Sequence, residues 1–364
     1  MIPICNFASK LFFMSASRVK AFVELGSQIQ EALSREEGKY EGLTKQQINL
    51  LLQVKKSGIE NGWFTKDMVQ SAFYGIIKML NENQLRQWLE PYVKSIDVEN
   101  KSKDVGVIMA GNIPAVGFHD FLCVLLSGHK AVVKTSSDDA LLIPSIAELL
   151  ISIDASFSDR IHILKTPLSK YDAVIATGSN NSARYFEQYF GKYPNIIRKS
   201  RTSVAILTGE ETEQEIEGLA KDLFTYYGLG CRNVSKLLVT GNFNPQKLID
   251  ALIKECEFLK NNGKYQNNID YNKSIYIINK VPFLDGGTFL LKEDKGLHSP
   301  ISVTFYETFD SLKAIENYIE ENKSQIQCVV SSKVKGSVSF GDAQSPKVWD
   351  YADKVDTMKF LLEL

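Results

Sequence analysis

From Asp104 onward, short apolar, β-branched runs alternate with helix-like segments, and this alternation constrains the fold more than any other feature of the chain. Val105-Gly-Val-Ile-Met, Lys130-Ala-Val-Val-Lys, Ala173-Val-Ile-Ala and Val204-Ala-Ile-Leu are hydrophobic runs of strand length, as strands covered on both faces should be. Between them, Val116 to Leu126, Asp138 to Ile151 and Asn180 to Phe190 have helical length and spacing. Strand and helix in regular succession close most economically as a parallel, doubly wound sheet with right-handed crossovers, an architecture suited to a dinucleotide.

Ahead of this region, Arg18 to Lys94 carries apolar residues at helical spacing. Thr65 reads as an N-cap, and Val69, Phe73, Ile76 and Leu80 share one face. Behind it, a helix from Glu211 to Tyr227 leads into Gly228-Leu-Gly-Cys-Arg-Asn, then a strand, Lys236-Leu-Leu-Val-Thr, and a second alternation up to about Phe340. At 364 residues and 44% hydrophobic content the chain exceeds what one core supports, so two α/β domains are expected. The expected division is a helical segment over 1–103 packed on the cofactor domain, a Rossmann-like domain over 104–208, a catalytic domain over 209–340 and a C-terminal segment over 341–364 that packs on the body or on a partner subunit.

Lys and Arg number 42 against 43 acids, so no global field would hold nucleic acid or an anionic membrane. The five cysteines, Cys5, Cys123, Cys231, Cys256 and Cys328, are scattered without zinc-type pairing and read as reduced cytoplasmic thiols. None of His119, His129, His162 and His298 has a partner at metal-binding spacing, so no metal site is expected. The apolar opening from Met1 lacks the basic region of a signal peptide, with Met14 an alternative start, and no later run is long enough to span a bilayer.

Several positions could carry chemistry. Cys231 follows two glycines between a helix and a strand, at the expected domain junction, where a thiol could serve as nucleophile; spacing alone favours a small core residue. Asn112, at the carboxyl end of the first strand, could donate to a developing oxyanion or could simply make a turn. Lys134 ends the second strand and could meet a ribose or phosphate. Thr177-Gly178-Ser179 opens a helix that could receive a pyrophosphate, with capping as the alternative. His298 is a possible late proton donor, or structural.

In their order and separation these segments resemble the aldehyde dehydrogenase superfamily from about residue 104 onward. Phe224-Thr-Tyr-Tyr-Gly-Leu-Gly-Cys231 resembles its F-x-x-x-G-Q-x-C nucleophile motif, with Leu229 replacing Gln. Gly111-Asn-Ile-Pro stands where that superfamily has W-N-x-P, which implies Asn112 as oxyanion donor. Val132-Val-Lys-Thr-Ser resembles the V-x-K-P-S strand end at the adenosine ribose, implying Lys134, Ser136 and Ser137 at the cofactor. Ala176-Thr-Gly-Ser resembles the F-T-G-S turn, implying Thr177, Gly178 and Ser179 near the pyrophosphate.

Two departures refine the resemblance. Ile197-Arg-Lys-Ser-Arg replaces the E-L-G-G-K segment whose Glu activates water, which implies an acyl group exchanged with a thiol rather than with water. Gly296-Leu-His-Ser-Pro stands where E-x-F-G-P holds the nicotinamide ribose. Asn61-Gly-Trp-Phe-Thr and Trp349-Asp-Tyr-Ala-Asp-Lys-Val-Asp-Thr-Met resemble the acyl-CoA reductase branch, similar to LuxC-type enzymes. The resemblance implies NADPH-dependent reduction of a fatty acyl thioester, on coenzyme A or a carrier, to the aldehyde through acyl-Cys231, in a homo-oligomer, dimer or tetramer. Ser137, in place of a ribose-gripping Glu, favours NADPH over NADH. Two other readings remain: a cofactor-independent thiol acyltransferase or thioesterase with His298 as base, and a non-catalytic nucleotide-binding relative, which Leu229 and Gly296 allow.

Overall fold

The structure is a computed structural model that describes residues 5–36, 38–96, 102–241 and 243–364, with side chains from residue 17 onward except that of residue 94. The opening from Met1 to Ile4 and the Cys5 side chain lie outside the described residues. The chain divides into two compact units, Met1–Lys199 with Lys347–Leu364, and Ser200–Pro346.

The first unit is built on β1 (Asp104–Ile108), β2 (Lys130–Lys134), β3 (Ile161–Ile163), β4 (Ala173–Thr177) and β5 (Asn195–Arg198). These form one all-parallel sheet in the order β3-β2-β1-β4-β5. Ile108 pairs with Lys134 on one side and Ala176 on the other, so the carboxyl ends of β1, β2 and β4 stand level along one edge. Strand order reverses between β1 and β4, which makes that edge the topological switch point where such sheets take ligands. The Phe118–Leu126 helix is buried at every residue but His119, whereas the Leu142–Ile153 helix buries one face and leaves Glu148 and Ser152 exposed. The expected Asp138–Ile151 helix is split, with a short 3₁₀ turn at Ser137–Asp139 ahead of the longer helix.

The N-terminal helices, Cys5–Leu33, Lys45–Glu60, Lys66–Met79 and Glu82–Leu89, share the core of this unit. Thr44 and Gln47 form a reciprocal capping box on the second of them. Val69, Phe73, Ile76 and Leu80 are all buried, as their spacing predicts. The C-terminal segment returns to the same core. Val348, Met358 and Leu361 are fully buried, the His119 Nε2 lies 2.6 Å from the Val348 carbonyl, and the Trp88 indole donates to Tyr351 at 2.7 Å. It joins the unit from Lys347, six residues later than the sequence division placed it.

The second unit carries β6 (Thr202–Leu207), β7 (Val234–Thr240), β8 (Leu284–Asp285), β9 (Leu290–Glu293), β10 (Val303–Phe309) and β11 (Ile326–Val330), in the order β11-β6-β7-β10-β9-β8. All neighbours are parallel except β8 and β9. Here the expected boundary after residue 208 is corrected. β6 is buried along its full length and pairs with β7 and β11, so it opens the second unit rather than closing the first. A fully buried strand reads the same in either sheet, and only its partners decide where it belongs.

Among the described residues, no helix is long and apolar enough to cross a membrane, and no group of three or more His, Cys, Asp or Glu could hold a metal ion.

Candidate active site

In the first unit the nominated residues gather on the switch-point edge. The turn after β1 packs against the turn after β2. A Cβ on Gly111 would lie 2.7 Å from both Cβ and Oγ of Ser136, a contact no larger residue could make without moving one turn. Asn112 follows on the exposed side. Ala115, with φ of 52°, holds the turn in the left-handed region, and its N–H donates to the buried Asp139 carboxylate at 2.7 Å. Burial pushes Asp139 up to about 6, partly countered by that bond and by one from the Leu142 N–H. Asp139 is thus the group that fixes the Asn112 turn, a role its sequence neighbourhood did not announce.

Lys134 ends β2 half-buried and donates to the Thr135 carbonyl at 3.4 Å. Ser136 caps the following turn by accepting from Asp138 N–H, and Ser137 is exposed beside it. The Asn61 amide donates to the Asp138 carbonyl at 3.1 Å, tying the N-terminal Asn61-Gly-Trp-Phe segment to this turn. After β4, Gly178 sits so close to the next helix that a Cβ would meet Ser182 at 2.8 Å and Phe186 at 3.0 Å. Ser179 caps the Asn180–Phe190 helix, accepting from Ser182 N–H at 3.2 Å. The capping alternative therefore describes its hydroxyl, and any anion at this turn would be met by backbone amides and Thr177.

At the end of β5, in the segment that the resemblance matches to E-L-G-G-K, Arg198 is buried. It pairs with Asp120 and donates to Thr357 Oγ1 at 2.9 Å. Ile197, the residue that matches the Glu itself, is apolar and can be no base.

In the second unit, the Glu213–Phe224 helix ends three residues sooner than its spacing predicts. Tyr226, Tyr227 and Gly228 all take left-handed backbone angles, with φ of 55°, 57° and 79°. Two consecutive non-glycine residues there cost free energy, on the order of 1 kcal/mol or more each, and such strain persists only where surrounding contacts impose it. Asn233 ties the backbone on either side of these two residues. Its amide donates to the carbonyls of Asp222, Leu223 and Thr225, at 3.1, 3.2 and 2.8 Å, while its oxygen accepts from Gly230 N–H at 2.8 Å.

Cys231 emerges from this turn exposed, so it is not the core residue that spacing alone permitted. Ser203 on β6 donates to its carbonyl at 3.0 Å. Cys123 and Cys256 are buried and Cys328 is half-buried. Burial pushes the Cys256 thiol up to about 12 and holds the Cys123 thiol well above its ordinary value. Of the described cysteines, Cys231 is the one presented to solvent.

Behind Cys231, the carboxylate of Asp222 accepts from Gly341 and Ala343 N–H at 2.7 and 2.9 Å, and Arg232 donates to the Ala343 carbonyl at 2.5 Å. Burial pushes Asp222 up to about 6. His298 lies on the loop before β10. Ser235 of β7 holds that loop by donating to the Leu297 carbonyl at 2.8 Å, and buried Lys236 donates to the Lys295 carbonyl at 2.9 Å. Partial burial lowers the His298 imidazole from its ordinary value. The Asn233, Ser203 and Asp222 roles were not read from the sequence. The only local signal was an Asn two residues after the candidate nucleophile, a type that bonds its own backbone in turns.

Two sheets of this topology, with a helix-to-strand turn presenting a thiol, define an aldehyde dehydrogenase-like fold. Aldehyde dehydrogenase 21 from Physcomitrella patens, solved with the reaction product succinate, matches with a TM-score of 0.58 at 14% identity, over 95% of this chain and 87% of that one. Betaine aldehyde dehydrogenase from Staphylococcus aureus, solved with NAD+, matches with a TM-score of 0.58 at 12% identity, over 88% and 71%. Residues 18–272 match the family described as acyl-CoA reductase (LuxC), and the chain belongs to that family. It is 22% identical over 291 residues to the long-chain acyl-protein thioester reductase of Aliivibrio fischeri, covering 70% of this chain and 59% of that protein. It is 23% identical over 205 residues to long-chain acyl-protein thioester reductase 2 of Photobacterium leiognathi, covering 50% and 42%. The chain thus spans about half the length of these curated relatives.

Proposed function

We propose that this chain reduces a fatty acyl thioester to the aldehyde, with Cys231 as the acyl-accepting thiol and a nicotinamide dinucleotide as reductant. The observation that carries the reading is an exposed thiol held on a strained turn in a chain of the acyl-CoA reductase family.

The residues of the first unit fit such a cofactor. Lys134 and the Ser136 and Ser137 hydroxyls stand at the end of β2 for an adenosine ribose, and Thr177, Gly178 and the N-terminus of the Asn180–Phe190 helix stand at the end of β4 for a pyrophosphate. We assign NADPH over NADH on Ser137 and Lys134, with the Asp138 carboxylate next to them as the opposing charge. When bound, the nicotinamide supplies the hydride that converts the acyl thioester to aldehyde.

The protein's part is to bind, orient and accept. The Cys231 thiolate attacks the acyl carbonyl, forms the new C–S bond, and expels the donor thiol, from coenzyme A or a carrier protein, as thiolate. Asn112 is assigned as a donor to the oxyanion, together with the Cys231 N–H. With Ile197 where the resemblance puts the water-activating carboxylate, hydrolysis of acyl-Cys231 has no base at that position. On reduction the Cys231 sulfur leaves as thiolate, regenerating the starting state. His298 is assigned as proton donor, with partial burial lowering its imidazole from the ordinary value. Assembly into a homo-oligomer is also proposed, on the resemblance.

NADPH and NADH absorbance decay, with a series of acyl-CoA thioesters and Cys231→Ala beside the parent, tests the reading. Chain-length-dependent oxidation with aldehyde formed, lost in the variant, supports it. Thiol release that needs Cys231 but no reduced nicotinamide would move the protein to the acyltransferases.

A further inference from the structure

Asn233 stands between two features that conflict. The Glu213–Phe224 helix points its carboxyl end at the turn that carries Cys231, and unsatisfied carbonyls there amount to roughly half a negative charge. A thiolate developing on the same turn would be repelled by it. The Asn233 amide answers the carbonyls of Asp222 and Leu223 at that end and of Thr225 just beyond it. Its oxygen meanwhile accepts from Gly230, the residue before Cys231, and its own N–H donates to the Gly230 carbonyl at 3.0 Å. The side chain is buried, so water cannot substitute for it. These bonds fix the backbone on both flanks of Tyr226 and Tyr227, the two non-glycine residues held at left-handed angles.

We infer that Asn233 is a positioning residue for Cys231: its amide covers the carbonyls that end the preceding helix and locks the turn that presents the thiol. This rests on Cys231 being the acyl-accepting thiol. Asn233 touches neither substrate nor cofactor in this role. It acts through the backbone of Gly230 and through the field at the sulfur. Ser203 completes the clamp from β6, donating to the Cys231 carbonyl while accepting from Cys328 N–H at 3.2 Å.

The test is alkylation of Cys231 by iodoacetamide across pH on the full chain, read by peptide mass spectrometry, in Asn233→Ala and Asn233→Asp variants shown to be folded by circular dichroism. Loss of the amide should raise the pH midpoint of alkylation by about one unit, which is roughly tenfold slower reaction at pH 7. Asn233→Asp, which sets an acceptor against the carbonyls, should move it at least as far. In turnover, kcat should fall while KM for the thioester changes little. If Asn233→Ala does not fold, Ser203→Ala removes the bond to the Cys231 carbonyl along with the one from Cys328 N–H, and should shift the midpoint in the same direction by roughly half as much. A folded variant that melts earlier but alkylates at the parent rate and midpoint would show a purely structural role and overturn the inference. Turnover retained in Cys231→Ala would instead sink the nucleophile assignment and leave the alkylation result standing.

Discussion

Gly218 offers a quantitative check on how the Cys231 turn is braced. It lies inside the Glu213–Phe224 helix, where Gly→Ala ordinarily gains about 1 kcal/mol. Here an added Cβ would lie 2.6 Å from the Phe340 carbonyl carbon, 2.7 Å from its oxygen and 2.9 Å from Gly341 N. All three are backbone atoms, so the Phe340–Ala343 strap must retreat by about 1 Å to reach ordinary contact. That carries the 2.7 and 2.9 Å bonds from Gly341 and Ala343 to Asp222 beyond bonding range. Two bonds to a buried carboxylate are worth roughly 1.5–3 kcal/mol each. After the helix gain is subtracted, Gly218→Ala should destabilise the second unit by about 2–5 kcal/mol. Urea unfolding followed by tryptophan-independent far-ultraviolet circular dichroism, with the slope compared between variants, measures this. A midpoint equal to or above the parent's would show that the strap does not brace the helix and would refute the reasoning.

Asn112→Ala should lower turnover by roughly two to three powers of ten if Asn112 stabilises an oxyanion, with folding intact; near-parent turnover would remove it from the mechanism. Asp139→Asn keeps an acceptor for Ala115 N–H and removes a buried charge. Because burial raises Asp139 from 3.8 to about 6, the folded state binds its proton more tightly, and through this group stability rises as pH falls from above 6 towards 4. The shift corresponds to about 3 kcal/mol at most, and the lost Leu142 bond offsets part of it. The variant should therefore gain 1–2 kcal/mol, on the order of that difference, at pH 8 and nothing at pH 4; a gain independent of pH would contradict it.

Much of the fold was legible in the chain because hydrophobic pattern is a local property. Strands such as Val105-Gly-Val-Ile and Ala173-Val-Ile-Ala show as buried runs, and the Val69, Phe73, Ile76, Leu80 stripe shows its face, before any partner is known. Motif order likewise pointed to Cys231, Asn112 and the strand ends at Lys134 and Thr177. What pattern could not supply was pairing. Val204-Ala-Ile-Leu reads as an interior strand of either sheet, and only its bonds to β7 and β11 place it in the second unit. The C-terminal segment could have covered its own body or a partner, and His119, Trp88 and Arg198, more than a hundred residues away in sequence, bind it to the first unit. The brace around Cys231 was hidden for the same reason. Asn233, Ser203 and Asp222 are ordinary polar residues in sequence, and they acquire a role because burial leaves each of their hydrogen-bonding groups to be satisfied by backbone the chain delivers from elsewhere. Sequence alone determined which elements form and which residues are chemically able; tertiary structure decided which buried polar groups those elements hold in place, because a hydrogen bond depends on position in space and a hydrophobic period does not.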